Sequence, residues 1–327
     1  MTVQKNLKQI IRDRQQRTGE SYTAARAQVL AAGPGPHTPT PRIDVGTQRE
    51  AVILKVNRDS VRVRIPGEAG QLTFRSSDVW EAVPGHLATL IVERRWIWRG
   101  DAYASGQIED LRIDVTRLGL VPLPLELGEP EDLRRAYEPV RSPDPYAPLW
   151  RRNTAKPRVC AEFDPIAWGS FPEEDDDDFD DNATCRAADL SEAGDVDGAR
   201  ELLMDTLLRD LRCIDAHAHL GNLAFDRSPR RAHLHYEVGV GIAELSLPSG
   251  FDGVILWDSI YNRPYLRALH GKGLCLWRLG QFERALEVFE RILAFNPNDN
   301  QGVRFIREDV LARRPWESTT ERSSAKS

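Results

Sequence analysis

The stretch that decides the fold is residues 266–299, LRALHGKGLCLWRLGQFERALEVFERILAFNPND. Small residues, aromatic residues and a proline stand in it at fixed intervals, namely Gly273, Gly280, Phe282, Ala285, Phe289 and Pro297. Small residues at Gly273 and Ala285 let two antiparallel helices approach closely, and Gly280 opens the turn between them. Pro297 ends the second helix, because proline cannot continue one. Three larger side chains fill the seam between the helices: Leu276, Phe282 and Phe289. The stretch therefore predicts a helical hairpin.

This spacing resembles that of the tetratricopeptide repeat, a helical hairpin that stacks into arrays. The resemblance implies a helical fold that binds a peptide or protein partner. Fainter copies of the pattern precede it. Residues in the same phase upstream are Gly194, Val196, Ala199 and Leu203. A further copy starts at Leu220 and Gly221 and is completed loosely at Ala232 and Tyr236.

Repeats of this kind need neighbours, since about three stacked units are required to bury a continuous core. An irregular segment, ELSLPSGFDGVILWDSIYNRPYLRA (244–268), separates the fainter copies from the last hairpin and is too rich in glycine and aromatic residues for a regular helix. We therefore predict an all-α tetratricopeptide array over residues 183–315, followed by a disordered tail over 316–327.

The block from Phe251 to Arg304 resembles the carboxyl-terminal repeat region of the suppressor-of-tumorigenicity-7 type and of uncharacterised bacterial tetratricopeptide proteins. The residues that carry this resemblance are GFDGVILWDSIYNRPYLRALHG and NPNDNQGVRF. It implies a fold and a partner-binding habit, and no activity. Candidate partner-binding residues within it are Asn262, Arg263, Asn300, Gln301 and Arg304. In the alternative interpretation, Asn300 caps the last helix and Arg304 pairs with a neighbouring acid.

In several segments of residues 51–115 the apolar side chains recur at every second position, which is the spacing of β-strands. AVILKV (51–56) and SVRVRI (60–65) alternate apolar and polar residues around a short turn, and further strand signals continue to residue 115. Such short strands predict a small β-barrel domain over residues 44–140, of the Src-homology or oligonucleotide-binding shape. Candidate nucleic-acid-binding residues on it are Arg62, Arg64, Arg94, Arg95 and Trp98. The alternation in RRWIWR, however, puts Trp96 and Trp98 on one face, which is more typical of a core with arginines solvated around it.

The remaining segments are predicted from composition. Residues 1–31 carry an excess of basic side chains and two apolar faces interrupted by Gly19, which indicates a basic helical hairpin. Residues 32–43 are a linker rich in proline and glycine. Residues 141–182 are predicted to be a linker, first rich in proline and then acidic. Eight carboxylates lie in Glu173–Asp181, so the formal net charge of -6 hides a slightly basic remainder.

Motifs for chemistry are weak in this chain. His217 and His219 form a His-x-His pair, but two residues apart on a helix point in different directions and cannot share a metal. No phosphate-binding or nucleophile-elbow motif occurs, and the four cysteines are scattered without a CxxC pair. No apolar run reaches the length of a membrane span. We expect no catalytic residue, no cofactor, no metal and no membrane partner, and a cytoplasmic location.

Together these patterns predict a multi-domain α+β chain: an amino-terminal helical hairpin, a small β-barrel and a carboxyl-terminal tetratricopeptide array. The predicted function is a non-enzymatic scaffold or adaptor that binds a peptide or protein segment through its repeats. The alternative is a nucleic-acid-associated regulator, in which the basic and aromatic barrel binds nucleic acid and the repeats recruit a partner.

Overall fold

A computed structural model describes residues 41–98, 100–135, 144–171 and 182–316. The predicted amino-terminal hairpin (1–31), most of the linker 32–43 and the acidic run all lie outside the described residues. In the rest, strands occupy the amino-terminal half and helices the carboxyl-terminal half, so the α+β class is confirmed.

The first five strands close into a barrel in the order β1-β2-β3-β5-β4. Their bounds are β1 Gln48–Val56, β2 Ser60–Arg64, β3 Leu72–Arg75, β4 Leu87–Trp98 and β5 Asp101–Arg112. Neighbours are antiparallel except β3 and β5, which are parallel. Alternate residues such as Val61, Val63 and Phe74 point inward and are fully buried. The alternation in the sequence therefore predicted the barrel and its inner face correctly.

The segment 144–171 corrects the prediction of a linker. It contains helix α1 (Ala147–Asn153) and strand β7 (Arg158–Phe163), and β7 pairs antiparallel with β6 (Leu125–Glu131). On its other side, β7 exchanges backbone hydrogen bonds with Val254, from Ala161 N to Val254 O (2.8 Å) and from Val254 N to Val159 O (2.8 Å). Pairing partners that lie far away in sequence hold this segment, so its local composition was a poor guide.

Seven further helices follow in the described residues. Their bounds are α2 Ala183–Glu192, α3 Val196–Arg209, α4 Ile214–Phe225, α5 Pro229–Glu244, α6 Arg263–Arg278, α7 Phe282–Phe295 and α8 Val303–Leu311. Polar side chains cap three of them: Asn182 accepts from the first turn of α2, Asp195 from that of α3 and Ser228 from that of α5.

Consecutive helices pack in pairs, α2 on α3, α4 on α5 and α6 on α7, and α8 covers α7. These pairs stand where the strong repeat and its fainter copies were predicted. The interval between α5 and α6 is mostly irregular, as expected, although α6 begins within it at Arg263. The predicted tail begins too early, because Trp316 packs edge-on against Trp277, with ring centroids 4.8 Å apart.

The barrel and the helices share buried residues. One continuous apolar cluster joins Ile53 and Phe74 of the barrel to Leu203 and Leu207 of α3 and to Leu220 of α4. An ion pair between Lys55 on β1 and Asp205 on α3 lies at the edge of this contact. The helical pairs are therefore fixed against one side of the barrel.

Candidate functional site

The last helical pair shows why the quoted stretch has its residue types. A Cβ on Gly273 of α6 would lie 2.4 Å from the ring of Phe289 on α7, closer than carbon atoms can approach. Phe289 and Ala285 are fully buried. Gly280, between the helices, has φ of +73°, a conformation that suits glycine. The carbonyl of Pro297 accepts a hydrogen bond from the Tyr146 hydroxyl (2.9 Å), which ties the end of this pair to α1.

Tyr236 of α5 organises the neighbouring contact. Its ring fills the space beside Gly221 of α4 and Gly271 of α6, where an added Cβ would lie 2.5 and 2.2 Å from ring carbons. Its hydroxyl donates to Asn222 Oδ1 (2.6 Å). One aromatic side chain thus fixes the spacing between the second helical pair and the third.

Asn262, the first of the predicted partner-binding residues, is buried and holds backbone together. Its side chain accepts from Phe163 N (3.2 Å) and donates to Ala161 O (2.9 Å) and Leu256 O (3.0 Å). It therefore joins β7 to the irregular segment before α6. Its neighbour Arg263 donates to Trp257 O (3.0 Å) and lies over the Trp257 ring.

The other three predicted residues lie around the start of α8. Asp299, which the prediction missed, accepts from Val303 N (2.7 Å) and Arg304 N (3.0 Å) and so caps α8 in place of Asn300. The Arg304 guanidinium faces Asp299 at 3.7 Å, as the alternative interpretation proposed. Asn300 is exposed and accepts from Asn296 Nδ2 (3.1 Å).

Gln301, the last of the five, lines a cavity. A pocket of about 260 Å³ lies between α4, α6 and the turn before α8, and its walls include Gln301, His270 and Arg267. Gln301 Nε2 donates to Leu266 O (3.2 Å), whereas its Oε1 is buried and has no hydrogen-bond partner among the described residues. Trp257 connects Arg263 to the residues around α8, because the Trp257 backbone N–H donates to Asn296 Oδ1 (3.3 Å), whereas Asn262 is buried.

A larger cleft lies where the barrel meets α5. Its volume is about 900 Å³. Apolar walls come from Leu111 near the end of β5, from Ile113 just after it, from Leu234 on α5 and from Leu279 just after α6. The ring of Trp80 stands at its edge and is 66% exposed, an unusual position for a tryptophan. We refer to this region as the junction cleft.

Charged groups of both signs border the junction cleft. Arg231 spans it at the base, donating to Trp80 O (2.5 Å) and Ala82 O (3.3 Å), and burial lowers the pKa of this guanidinium. Arg230 and Glu81 also line the cleft, and neither has an ion-pair partner in the described part of the chain. The cleft can therefore offer an incoming segment an apolar wall, the carboxylate of Glu81 and the guanidinium groups of Arg230 and Arg231.

The junction cleft continues along α5. A second cavity of about 500 Å³ shares Arg112, Ile113 and Glu237 with it and extends to Gly241 and Glu244. At the shared edge, Glu237 faces His233 Nε2 (3.5 Å) and Lys272 Nζ (3.7 Å). An α-helix rises about 1.5 Å per residue, so this course from Arg230 to Glu244 follows roughly 20 Å of α5. That length accommodates an extended segment of several residues.

The histidines are distributed over the helical interior and the junction. His217 and His219 lie on helix α4, as predicted, and diverge: His217 Nε2 lies 3.1 Å from Leu211 O, while His219 Nε2 faces Asp215 at 3.5 Å. Burial lowers the pKa of both His217 and His86 to about 4. His235 on α5 is also buried, and its pKa is lowered by burial and by the nearby His217. Within the described ranges, no three metal-ligating side chains come together.

The predicted nucleic-acid residues separate into two groups. Arg94 and Trp98 lie on the outer face of the long β4–β5 hairpin, with Arg62 further along that face. Arg64 turns away to Leu118 O, and Arg95 turns to the opposite side of the hairpin, where it donates to Ile43 O (3.2 Å). The expectation that the tryptophans fill the core is wrong. Trp98 is 53% exposed and Trp96 is partly exposed, because β4 extends well beyond the closed part of the barrel.

Sequence comparisons identify a known repeat family in the last helical pair. A family model described as tetratricopeptide repeat matches residues 266–299, which include all of α7 and most of α6. No curated protein shows significant sequence similarity to the chain. In the part of the chain that the structure describes, no helix is long and apolar enough to cross a bilayer. The packing of Gly273 on Phe289, the turn at Gly280 and the family match together identify the α6–α7 hairpin as a tetratricopeptide repeat.

Proposed function

We propose that the chain is a non-enzymatic adaptor that binds a peptide or protein segment in the junction cleft. The observation that carries this proposal is the exposed Trp80 ring beside an apolar wall, at the point where the helical pairs meet the barrel. Exposed tryptophans next to apolar clefts are frequent anchors of protein interfaces. The tetratricopeptide repeat supports the same reading, since such repeats are commonly used to bind protein partners.

The chemistry of the cleft favours a segment of mixed character. An apolar side chain of the partner would contact Trp80 and Leu234, and charged side chains on either flank would meet Glu81 and Arg230. Because the walls come from the barrel as well as from α5 and α6, the binding surface depends on both halves of the chain. The resemblance of Phe251–Arg304 to other repeat proteins adds an expectation of partner binding.

Affinity capture with the full chain tests this proposal. Lysate of cells that make the protein is treated with nuclease and passed over wild type, Trp80→Ala and Trp98→Ala. Truncation of a tryptophan at a binding hot spot costs about 2 kcal/mol or more, so we expect Trp80→Ala to weaken partner binding roughly 30-fold or more. The carbonyl of residue 80, which Arg231 contacts, is retained in this variant.

Trp98→Ala is the matched control, because it removes another exposed tryptophan from the same barrel but away from the cleft. A partner that Trp98→Ala retains and Trp80→Ala loses supports binding in the junction cleft. Equal recovery by all three proteins would show that the cleft is not the site. Arg230→Glu reverses one charge at the rim of the cleft, and we expect it to weaken binding of the same partner without changing the melting temperature.

A further inference from the structure

The outer face of the barrel carries a row of side chains that crosses four strands. Arg62 of β2 lies opposite Thr73 of β3. Thr73 lies opposite Tyr103 of β5, which in turn lies opposite Trp96 of β4. Residues directly opposite one another in a sheet share a face, and adjacent strands are about 4.8 Å apart. The row therefore forms a continuous surface roughly 14 Å across.

Aromatic rings dominate one end of this row. Trp96 stacks on Tyr103, with centroids 5.6 Å apart and ring planes within 13°. Trp98 meets the same tyrosine edge-on, with centroids 6.3 Å apart. Trp96, Trp98 and Tyr103 are called the aromatic group below. The group presents ring surfaces on the outer face of the sheet.

Positive charge lies alongside these rings. A second row runs from Arg75 of β3 to Ser105 of β5 and on to Arg94 of β4. Arg75 and Arg94 are exposed, and no carboxylate in the described residues pairs with either. Arg62 is held along the face by Gln71 Oε1 (3.2 Å) and Thr73 Oγ1 (3.1 Å), which are uncharged and leave its charge unneutralised. Arg62, Arg75 and Arg94 are called the arginine group.

Neither row contains an acidic residue, and the carboxylate of Asp101, opposite Trp98, lies at the end of the hairpin. A surface that combines unpaired arginines with open aromatic rings suits a chain of phosphates and bases, since phosphates pair with arginine and every base has a face that can stack. A protein partner could also pack on the rings, but it would have to place an acidic side chain at each arginine, whereas a single strand carries a phosphate beside every base. The two groups therefore favour a polyanion with flat, exposed bases.

We propose that this face of the barrel binds single-stranded nucleic acid. Bases stack on the aromatic group, and phosphates pair with the arginine group. The site is separate from the junction cleft, which is lined by Trp80 and α5, so the two sites can be occupied and disrupted independently.

Fluorescence anisotropy with the full chain tests the proposal. The probes are labelled single strands of about 12 nucleotides, thymidylate for DNA and uridylate for RNA, together with a duplex of the same length. We expect both single strands, or one of them, to bind more tightly than the duplex. Affinity should fall with salt, with a slope near -2 in log K against log salt for three phosphate contacts, since each contributes about -0.7.

Two pairs of variants separate this site from a general basic surface. Arg94→Ala should reduce the salt slope by about 0.7, whereas Arg95→Ala, one residue away on the opposite side of the hairpin, should leave it unchanged. Trp98→Ala should weaken binding roughly 5- to 100-fold, while Trp80→Ala should have no effect. All four positions are exposed, and unchanged melting curves confirm folding.

Several results would overturn the proposal. One is no binding of either strand at about 50 mM salt. Another is an equal effect of Arg94→Ala and Arg95→Ala, which would indicate attraction by overall charge. A third is displacement of the strand by polyglutamate of equal charge as effectively as by unlabelled strand, because polyglutamate has no bases to stack. If Trp80→Ala loses partner capture but still binds nucleic acid, the nucleic-acid site on the barrel face is supported independently of the junction cleft.

Discussion

Acid should destabilise the fold through histidines that are buried without charge. His86, on the barrel side, and His217, on α4, are both buried, and burial lowers the pKa of each from 6.5 to about 4. In the unfolded chain each imidazole takes up a proton near pH 6.5, but in the folded chain it does so only near pH 4. The unfolded state therefore binds more protons between these values, and stability falls as the pH is lowered through that window.

The size of the effect follows from the two pKa values. For one histidine with these values, the free energy of unfolding decreases by about 2 kcal/mol between pH 7.5 and pH 5. His86 and His217 together give about 4 kcal/mol, a large part of the roughly 5–15 kcal/mol by which proteins of this kind are stable. Carboxylates add little in this window, because their ordinary pKa values lie below it.

Urea unfolding followed by tryptophan fluorescence, at several pH values and constant ionic strength, measures this loss. We expect His217→Gln, which keeps a donor for the Leu211 carbonyl, to reduce the loss between pH 7.5 and pH 5 by about 2 kcal/mol. His86→Gln should remove a similar amount, and the double variant should keep the loss contributed by His235 and His270, because burial lowers the pKa of both. A wild-type stability that does not change over this range would refute the reasoning. So would a His217→Gln variant with the full wild-type dependence.

Three further predictions concern the last repeat and α8. Gly273→Ala brings a methyl group into the ring of Phe289, and the overpacking outweighs the gain in helix propensity, so we expect a loss of about 1–2 kcal/mol by urea unfolding. Gly280→Ala meets no neighbouring atom but is strained at φ +73°, and a loss of about 1 kcal/mol without any change in packing is expected. Asp299→Ala removes both backbone contacts of the α8 cap and should cost about 1–2 kcal/mol, whereas Asn300→Ala should be nearly neutral; equal losses would contradict the assigned cap.

Local patterns predicted the parts of the fold whose contacts are close in sequence. The interval from Gly273 to Pro297 spans one helical hairpin, so the spacing of its residues carries the packing directly. The alternation in 51–56 and 60–65 likewise described two strands that are neighbours in the barrel. In both cases the partner of each residue lies within about thirty positions.

Contacts between distant segments were not accessible in this way. Nothing near Arg158 in the sequence indicates that its guanidinium donates to Gly253 O (2.7 Å) and Ala294 O (2.6 Å) and so holds β7 against the helices. The junction cleft combines Trp80 with Arg231 across about 150 positions, and its existence depends on how the two halves dock. Alternation also placed Trp96 and Trp98 on one face correctly. It could not tell whether that face is inside or outside, because this depends on how far β4 extends beyond the strands with which it pairs in the barrel.

The Tyr146 contact with Pro297 and the packing of Trp316 on Trp277 have a consequence for how this chain can vary. Open helical arrays change length by gaining or losing whole repeats, since each unit touches only its neighbours. Here the first helical pair rests on the barrel, and the last is closed by α1, α8 and Trp316. A fourth hairpin inserted at either end would have to break one of these contacts. The contacts at the two ends therefore limit the number of helical hairpins that this fold can hold.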